Sequence, residues 1–435
     1  MTRDFTVNRR TVTTSVLLGS AALLLGGTRA SAGSRTGSPT AGATPGGTRA
    51  SAGSRTGSPT AGATPGDTRG GAVLTLPAPT GRHPVGCWSA YLVDASRRDP
   101  WTPSIPVREL MLTVFYPARS VAGLTPDPQL PPEAAALFGQ IAPRTPLQLP
   151  GAGVDWAATM SHSFPGAPVL PGRRAVLVFS PGGGDPRGLG TSLAEDLASH
   201  GAVVVLVDHP GDPAAVEFPA VTPFRGDVVR PTVLRGDPRD QPPLWRTLID
   251  TRIADLRFVI DRLCHAADLP LPPGLADTLD LRRIALYGHS AGGSAVTEAL
   301  RENRQVRAGI NLEGYLDYPP AAPGGEAEPF PVVTEGVEKP LLLLGSQGFT
   351  RRHELDRSWS ALTARSSRWA HRERIADANH WIFTDYAAMV PQLQAAGLLT
   401  AQEREALTGA VDPTVAIPRI RRIVRGFFAR HLAVR

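Results

Sequence analysis

Gly288-His289-Ser290-Ala291-Gly292 sets a serine between two glycines, after the strand-like Arg283-Ile-Ala-Leu-Tyr287 and before small residues at 293–300. A short buried strand, a sharp turn and a helix start are the setting in which a Gly-x-Ser-x-Gly pentapeptide becomes a nucleophile elbow. The glycines permit a strained turn and close packing of strand on helix. That geometry lifts the Ser290 hydroxyl clear of the sheet and leaves the Ala291 N–H free to donate to an oxyanion. A glycine-rich turn with a spectator serine is the plain alternative. A serine hydroxyl is a poor nucleophile near neutral pH. It needs a general base, and the base needs a carboxylate to orient it.

In a strand–elbow–helix design the chain order is serine, acid, histidine. Of ten histidines, those before Ser290 break that order, and His289, inside the elbow, is expected to point elsewhere. His353, His371, His380 and His431 remain. His380 lies in Ala376-Asp-Ala-Asn-His380-Trp-Ile-Phe-Thr-Asp385, a loop between a candidate strand and a helix, where the base belongs. His371 falls in a polar strand, His353 in an Arg-rich loop, and His431 near the end of the last helix. For the acid, Glu313 directly follows the strand at 308–312, with Asp317 close behind. The turn after the following strand, Gly345-Ser-Gln-Gly348, offers no carboxylate, and Glu354 and Asp356 come later. The alternative for Glu313 is a buried acid paired with an arginine such as Arg252. Phe179-Ser-Pro-Gly-Gly-Gly-Asp-Pro-Arg187 supplies the other oxyanion donor, taken here as Gly183, with Ala291 as its partner. Each such preorganised donor is worth about 3 kcal/mol of barrier. An ordinary glycine turn is the alternative for that loop.

These residues need a scaffold. Strands are predicted at 110–116, 175–179, 202–207, 283–287, 308–312 and 341–344, most of them continuously apolar, as strands buried on both faces are. Helices are predicted at 191–199, 245–264, 293–300 and 418–432, with a short one at 132–140. Alternating strands and helices give a mostly parallel sheet covered on both faces, and with the elbow this is an α/β-hydrolase architecture. The excursion at 119–172 is long enough to wall or cover a site. The last helix carries Ile420, Val424 and Phe428 beside Arg419, Arg421, Arg422 and Arg425. It is read as packing its apolar face on the sheet and solvating its arginines, so membrane contact is peripheral at most.

The 435 residues include one lysine, Lys339, and a formal charge of +6 carried by scattered arginines. No nucleic-acid motif accompanies them, so nucleic acid is not an expected partner. Cys87 and Cys264 are the only cysteines, read as a disulfide or two buried thiols. No Cys/His cluster has zinc spacing and no acidic run resembles a calcium loop, so neither metal nor cofactor is expected. Residues 1–32 read as an export signal: Arg9-Arg10 precede an apolar run at 16–25, and Ala30-Ser31-Ala32 fits a signal-peptidase site. Asn8-Arg9-Arg10-Thr11-Val12 resembles a twin-arginine signal, which implies folding before secretion, with the general secretory route as the alternative. Residues 33–71 read as a disordered linker, within a 20-residue tandem repeat (31–50 and 51–70) that lacks large apolar side chains. Residues 72–435 form the catalytic domain.

Leu76-Pro-Ala-Pro-Thr-Gly-Arg-His-Pro-Val-Gly86, Asp99-Pro-Trp-Thr102, Arg108-Glu-Leu-Met111, Phe179-Ser-Pro-Gly-Gly-Gly184, Gly288-His-Ser-Ala-Gly-Gly293, Asn379-His380 and Phe383-Thr-Asp385 together resemble the platelet-activating-factor acetylhydrolase (type II) family. The resemblance implies that the acid lies at the end of the strand after the elbow, which selects Glu313 over Asp356. The family residue there is aspartate, so the glutamate is a departure. Pro181 stands where the family commonly has histidine, and Gly183 where a bulkier residue lines the acyl pocket. The resemblance further implies calcium-independent hydrolysis of esters, including a short or oxidised acyl group at the second glycerol position of a phospholipid. The rival of the same chemistry is a cutinase- or lipase-like hydrolase of longer or polymeric esters. The rival of another class is a non-catalytic hydrolase fold that binds ligand.

Overall fold

The structure is a computed structural model that describes residues 71–322 and 324–433. The export signal and the tandem repeat through residue 70 lie outside the described residues. Nine strands form the main sheet: β1 (Val85–Asp94), β2 (Arg108–Pro117), β3 (Ser163–Pro165), β4 (Arg174–Ser180), β5 (Val203–Asp208), β6 (Leu279–His289), β7 (Val306–Leu312), β8 (Leu341–Ser346) and β9 (Ala370–Ile375). Their order across the sheet is β9-β8-β7-β6-β4-β5-β2-β1-β3. From β9 to β5 every pair is parallel, and β2 joins β5 and β1 antiparallel.

Side-chain alternation along the central strands explains the layers. Val176 and Val178 of β4 face one core with Val203, Val205 and Val207 of β5. That face is covered by α3 (Pro242–Cys264) and α4 (Ala291–Glu302) through Leu248, Leu256 and Val296. Leu177 and Phe179 face the opposite core with Val204 and Leu206. There α2 (Thr191–Ser199) and α6 (Pro413–His431) pack, the latter through Ile420, Val424 and Phe428. This is the expected α/β-hydrolase architecture. The excursion after β2 holds α1 (Pro132–Ile141), close to the helix predicted there.

Three expectations are corrected. The last helix begins at Pro413, not at residue 418: the Asp412 side chain accepts from Thr414 N at 2.7 Å, and Pro413 needs no hydrogen-bond acceptor at the first helical position. Arg421 is not solvated. It is buried and donates to the carbonyls of Pro77, Ala78 and Ser192, tying the start of the described chain to α2. His353 is not in a loop but in α5 (Arg352–Arg365), which forms because Leu355, Trp359 and Leu362 make one buried face. Cys87 and Cys264 are both free thiols. Among the described residues no helix is long and apolar enough to cross a membrane.

One buried carboxyl sets a pH dependence. Glu195 on α2 accepts from His162 N at 2.7 Å, but its Oε2 has no partner among the described residues. Burial pushes its pKa up to about 8 from an ordinary 4.5. The folded state therefore holds a proton that the unfolded chain has already released. The associated stability is complete below about pH 4.5 and is lost as pH rises through 8. Between pH 7 and 9 the protein should lose on the order of 1 kcal/mol relative to Glu195→Gln. Urea midpoints of the two proteins at both pH values check this. A constant difference between them would show that Glu195 is already ionised in the fold.

Candidate active site

The elbow sits where expected. β6 ends at His289, α4 starts at Ala291, and Ser290 between them has φ 53° and ψ −121°. A positive φ is unfavourable for a residue with a side chain, and the surrounding bonds hold it there. Ser290 N donates to the Leu312 carbonyl at 2.8 Å, and Ser294 N to the Ser290 carbonyl at 3.0 Å. Two glycines allow the close approaches. A Cβ on Gly292 would lie 2.0 Å from the Ser180 carbonyl oxygen, and one on Gly314 would lie 2.3 Å from that of Ser290.

Glu313 follows β7 with φ 62°. Asn311 fixes this turn: its Oδ1 accepts from Gly314 N at 2.5 Å, and its Nδ2 donates to the Gly314 carbonyl at 3.1 Å and to Thr297 Oγ1 at 3.0 Å. The Glu313 carboxylate is fully buried and its Oε2 lies 2.8 Å from His380 Nδ1. Ser346, at the end of β8, donates its hydroxyl to both carboxylate oxygens at 2.8 and 3.0 Å, and its N–H also donates to Oε1. Gly345 leaves room for the longer acid, since a Cβ there would lie 3.3 Å from Glu313 Oε1.

His380 is held from three sides. Its N–H donates to Asn379 Oδ1 at 2.8 Å, and the Phe349 ring stacks on it with centroids 4.6 Å apart. Its carbonyl accepts from His289 Nε2 at 3.0 Å. Burial lowers the His289 pKa, which keeps that ring neutral with its proton on Nε2. His289 thus does point away from the elbow, but it also supports the His380 loop, a role that residue order alone does not reveal. No hydrogen bond joins Ser290 Oγ to His380 Nε2, although both residues line one cavity. Such contacts often tighten only with substrate bound.

The other candidates are committed elsewhere. Asp317 pairs with Arg239 at 2.6 Å and Arg357 at 3.3 Å. Asp356 pairs with Arg352, Arg372 and Arg374. Arg252 pairs with Asp212 rather than with Glu313. Gly183 and Ala291 line the cavity beside Ser290. The Gly183 N–H has no acceptor among the described residues, and the Ala291 N–H opens a helix, where no intrahelical acceptor exists. The arrangement can therefore deliver a hydroxyl, a base with an oriented ring and two free N–H donors to one bound carbonyl.

The cavity has a volume of about 690 Å³. Phe138, Ile141 and Leu147 from the excursion form one wall, and Trp245, Tyr315 and Phe349 face the same space. Among the described residues no group of three or more His, Cys, Asp or Glu could hold a metal ion.

Comparison with known proteins gives four matches. The family model described as "Platelet-activating factor acetylhydrolase, isoform II" matches residues 273–435, which include Ser290, Glu313 and His380. A protein named "Probable 1-alkyl-2-acetylglycerophosphocholine esterase" from Arthroderma benhamiae is 27% identical over 374 residues, 81% of this chain and 87% of that one. A platelet-activating factor acetylhydrolase from Cavia porcellus is 24% identical over 60% of this chain and 58% of its own. Among solved structures, a ferulic acid esterase from Streptomyces cinnamoneus is similar with a TM-score of 0.61 and 33% identity, covering 83% of this chain and 94% of that one.

Proposed function

The chain belongs to the platelet-activating factor acetylhydrolase, isoform II, family and is a carboxylic ester hydrolase, and from that membership we propose that it is a secreted serine esterase acting on short-acyl esters, phospholipids of the platelet-activating-factor type among them. Ser290 Oγ attacks the acyl carbonyl while His380 Nε2 takes its proton. Glu313 holds the Nδ1–H and stabilises the imidazolium. The Gly183 and Ala291 N–H groups receive the negative charge that develops on the carbonyl oxygen. Collapse of the tetrahedral intermediate expels the alcohol, which takes the proton back from His380. Water, deprotonated by the same ring, then releases the acid and restores Ser290. The observation that carries this reading is the 2.8 Å contact between Glu313 and His380, on a ring that shares its cavity with Ser290.

The lining of the cavity supports an amphipathic substrate. Aromatic walls stand beside Arg144 and Arg235, both exposed, and among the described residues Arg235 donates only to the carbonyls of Thr232 and Leu234. Such a mouth suits an ester that also carries a phosphate. The ferulic acid esterase likeness favours a second reading, in which the aromatic walls take an aryl acyl group. Export is supported by Arg9-Arg10, the apolar run and Ala30-Ser31-Ala32. Accumulation of the protein inside the cell when Arg9 and Arg10 are replaced by lysine is the expected result for the twin-arginine route. Unchanged export would favour the general route.

One panel tests the chemistry: p-nitrophenyl acetate, butyrate and palmitate, an acetyl-glycerophospholipid and methyl ferulate, each with a chelator present and beside Ser290→Ala. Faster turnover of the short esters and of the acetyl-phospholipid is expected. Preference for methyl ferulate would select the aryl reading, and preference for palmitate a lipase-like one. Folded protein that neither turns over any ester nor reacts with a fluorophosphonate probe would select a binding role.

A further inference from the structure

Arg252, on α3, is fully buried beneath the loop at 180–184. Its Nη1 donates to the Pro181 carbonyl at 2.5 Å and to Ser180 Oγ at 3.2 Å, and its Nη2 donates to the Gly182 carbonyl at 2.8 Å. Its Nε donates to Asp212 Oδ2 at 2.7 Å. The other oxygen of that carboxylate, Asp212 Oδ1, accepts from Gly184 N at 2.8 Å.

A trans peptide group is planar, with its carbonyl and N–H pointing in opposite directions. Holding the Gly182 carbonyl against Arg252 therefore turns the Gly183 N–H away from Arg252. Holding the Gly184 N–H against Asp212 fixes the next peptide plane. Both planes that meet at the Gly183 Cα are thus tied to a single ion pair. Glycine has no side chain to restrict its own torsions, so these external bonds, with that from Asp185 N to the Gly182 carbonyl at 3.2 Å, set them.

The pair is itself braced. Ser180 Oγ lies 2.9 Å from His209 Nε2, and His209 Nδ1 lies 3.0 Å from Asp255 Oδ2. Burial, and next the charge of Arg252, lowers the His209 pKa and keeps the ring neutral. Its Nδ1–H then donates to Asp255, and its Nε2 accepts from the Ser180 hydroxyl. Arg108 in turn holds Asp255 at 2.8 Å. A buried ion pair of this kind adds little stability over a well-packed apolar substitute, because desolvation offsets its attraction. Stability alone is a weak reason for its presence.

We propose that Arg252 and Asp212 are a positioning pair that presets the Gly183 N–H for the oxyanion of ester hydrolysis. This rests on the reading of Gly183 as an oxyanion donor given above.

Arg252→Lys tests it, since lysine keeps the charge beside Asp212 but cannot reproduce the planar fork. The kcat for p-nitrophenyl acetate should fall roughly 100-fold, in the range of losing one oxyanion donor. KM should stay within about threefold. A trifluoromethyl ketone forms a hemiketal on Ser290 and so places an oxyanion in the hole. Its affinity should weaken by the factor lost from kcat/KM. A purely structural role would lower the melting temperature and leave kcat per folded molecule and analogue affinity unchanged. That result would overturn the proposal. If Arg252→Lys does not fold, Asp212→Asn keeps the shape and the acceptor for Gly184 N while loosening the hold on Arg252. A roughly tenfold loss of kcat is then expected, and wild-type kcat would overturn the proposal. Turnover by the parent protein that survives Ser290→Ala would sink the oxyanion reading and this one with it. Turnover that needs Ser290 but is untouched by both pair variants would remove the positioning role alone.

Discussion

Ser290→Ala should lower kcat for p-nitrophenyl acetate by on the order of 10⁶-fold, the loss seen when a serine nucleophile is removed from an intact site. The backbone bonds that hold the elbow, from Ser290 N to Leu312 and from Ser294 N to Ser290, do not use the hydroxyl, so the turn should persist. Alanine meets the same strain at this positive φ that serine already bears, so the exchange adds little to it. The variant should therefore fold, bind ester with little change in affinity, and fail to react with a fluorophosphonate. A residual rate near wild type in folded Ser290→Ala would place the nucleophile elsewhere in the cavity.

Glu313→Gln should cost roughly 10⁴ in kcat with little change in KM. The amide can still accept from Ser346 through its oxygen, but its NH2 then faces His380 Nδ1. That forces the proton onto Nε2, where it blocks acceptance of the Ser290 proton. Glu313→Asp is the informative companion. The carboxylate is met at 2.8 Å by His380 and also by Ser346, and a side chain shorter by one methylene cannot reach both without movement of the turn. A displacement of about 1 Å at this point is worth about 10²-fold in rate, so the aspartate should lie between wild type and glutamine. Stopped-flow kinetics beside melting curves separates these effects from loss of fold. Equal activity of all three proteins would make Glu313 a bystander.

The parallel strands were legible because burial on both faces requires continuous apolar runs, as in Val203–Asp208. Ser290 and His380 could be singled out from their order along the chain, since the elbow constrains what must follow it, whereas Glu313 is chosen over Asp356 only through the family resemblance. What residue order does not carry is the long-range hydrogen bonding. Ser346 occupies the turn that lacks a carboxylate, and its hydroxyl reaches the acid on the neighbouring strand. Likewise Arg252 resembles any charged residue on an amphipathic helix, although it faces inward onto the loop at 180–184. The start of α6 lies at the Asp412-Pro413 cap, five residues before the predicted one, and Pro418 sits inside the helix.

The contact between Gly314 and the Ser290 carbonyl has a consequence for how such a site can change over time. The turn that carries Ser290 and the turn that carries Glu313 touch backbone to backbone, with no side chain between them. Neither can be lengthened, shortened or shifted by one residue without displacing the other, so insertions and deletions are closed off on both sides. Exchange of the Glu313 side chain, by contrast, leaves that joint untouched. The freedom left to a lineage at this position is one of reach, and a glutamate received by Gly345 and Ser346 is a form that freedom can take.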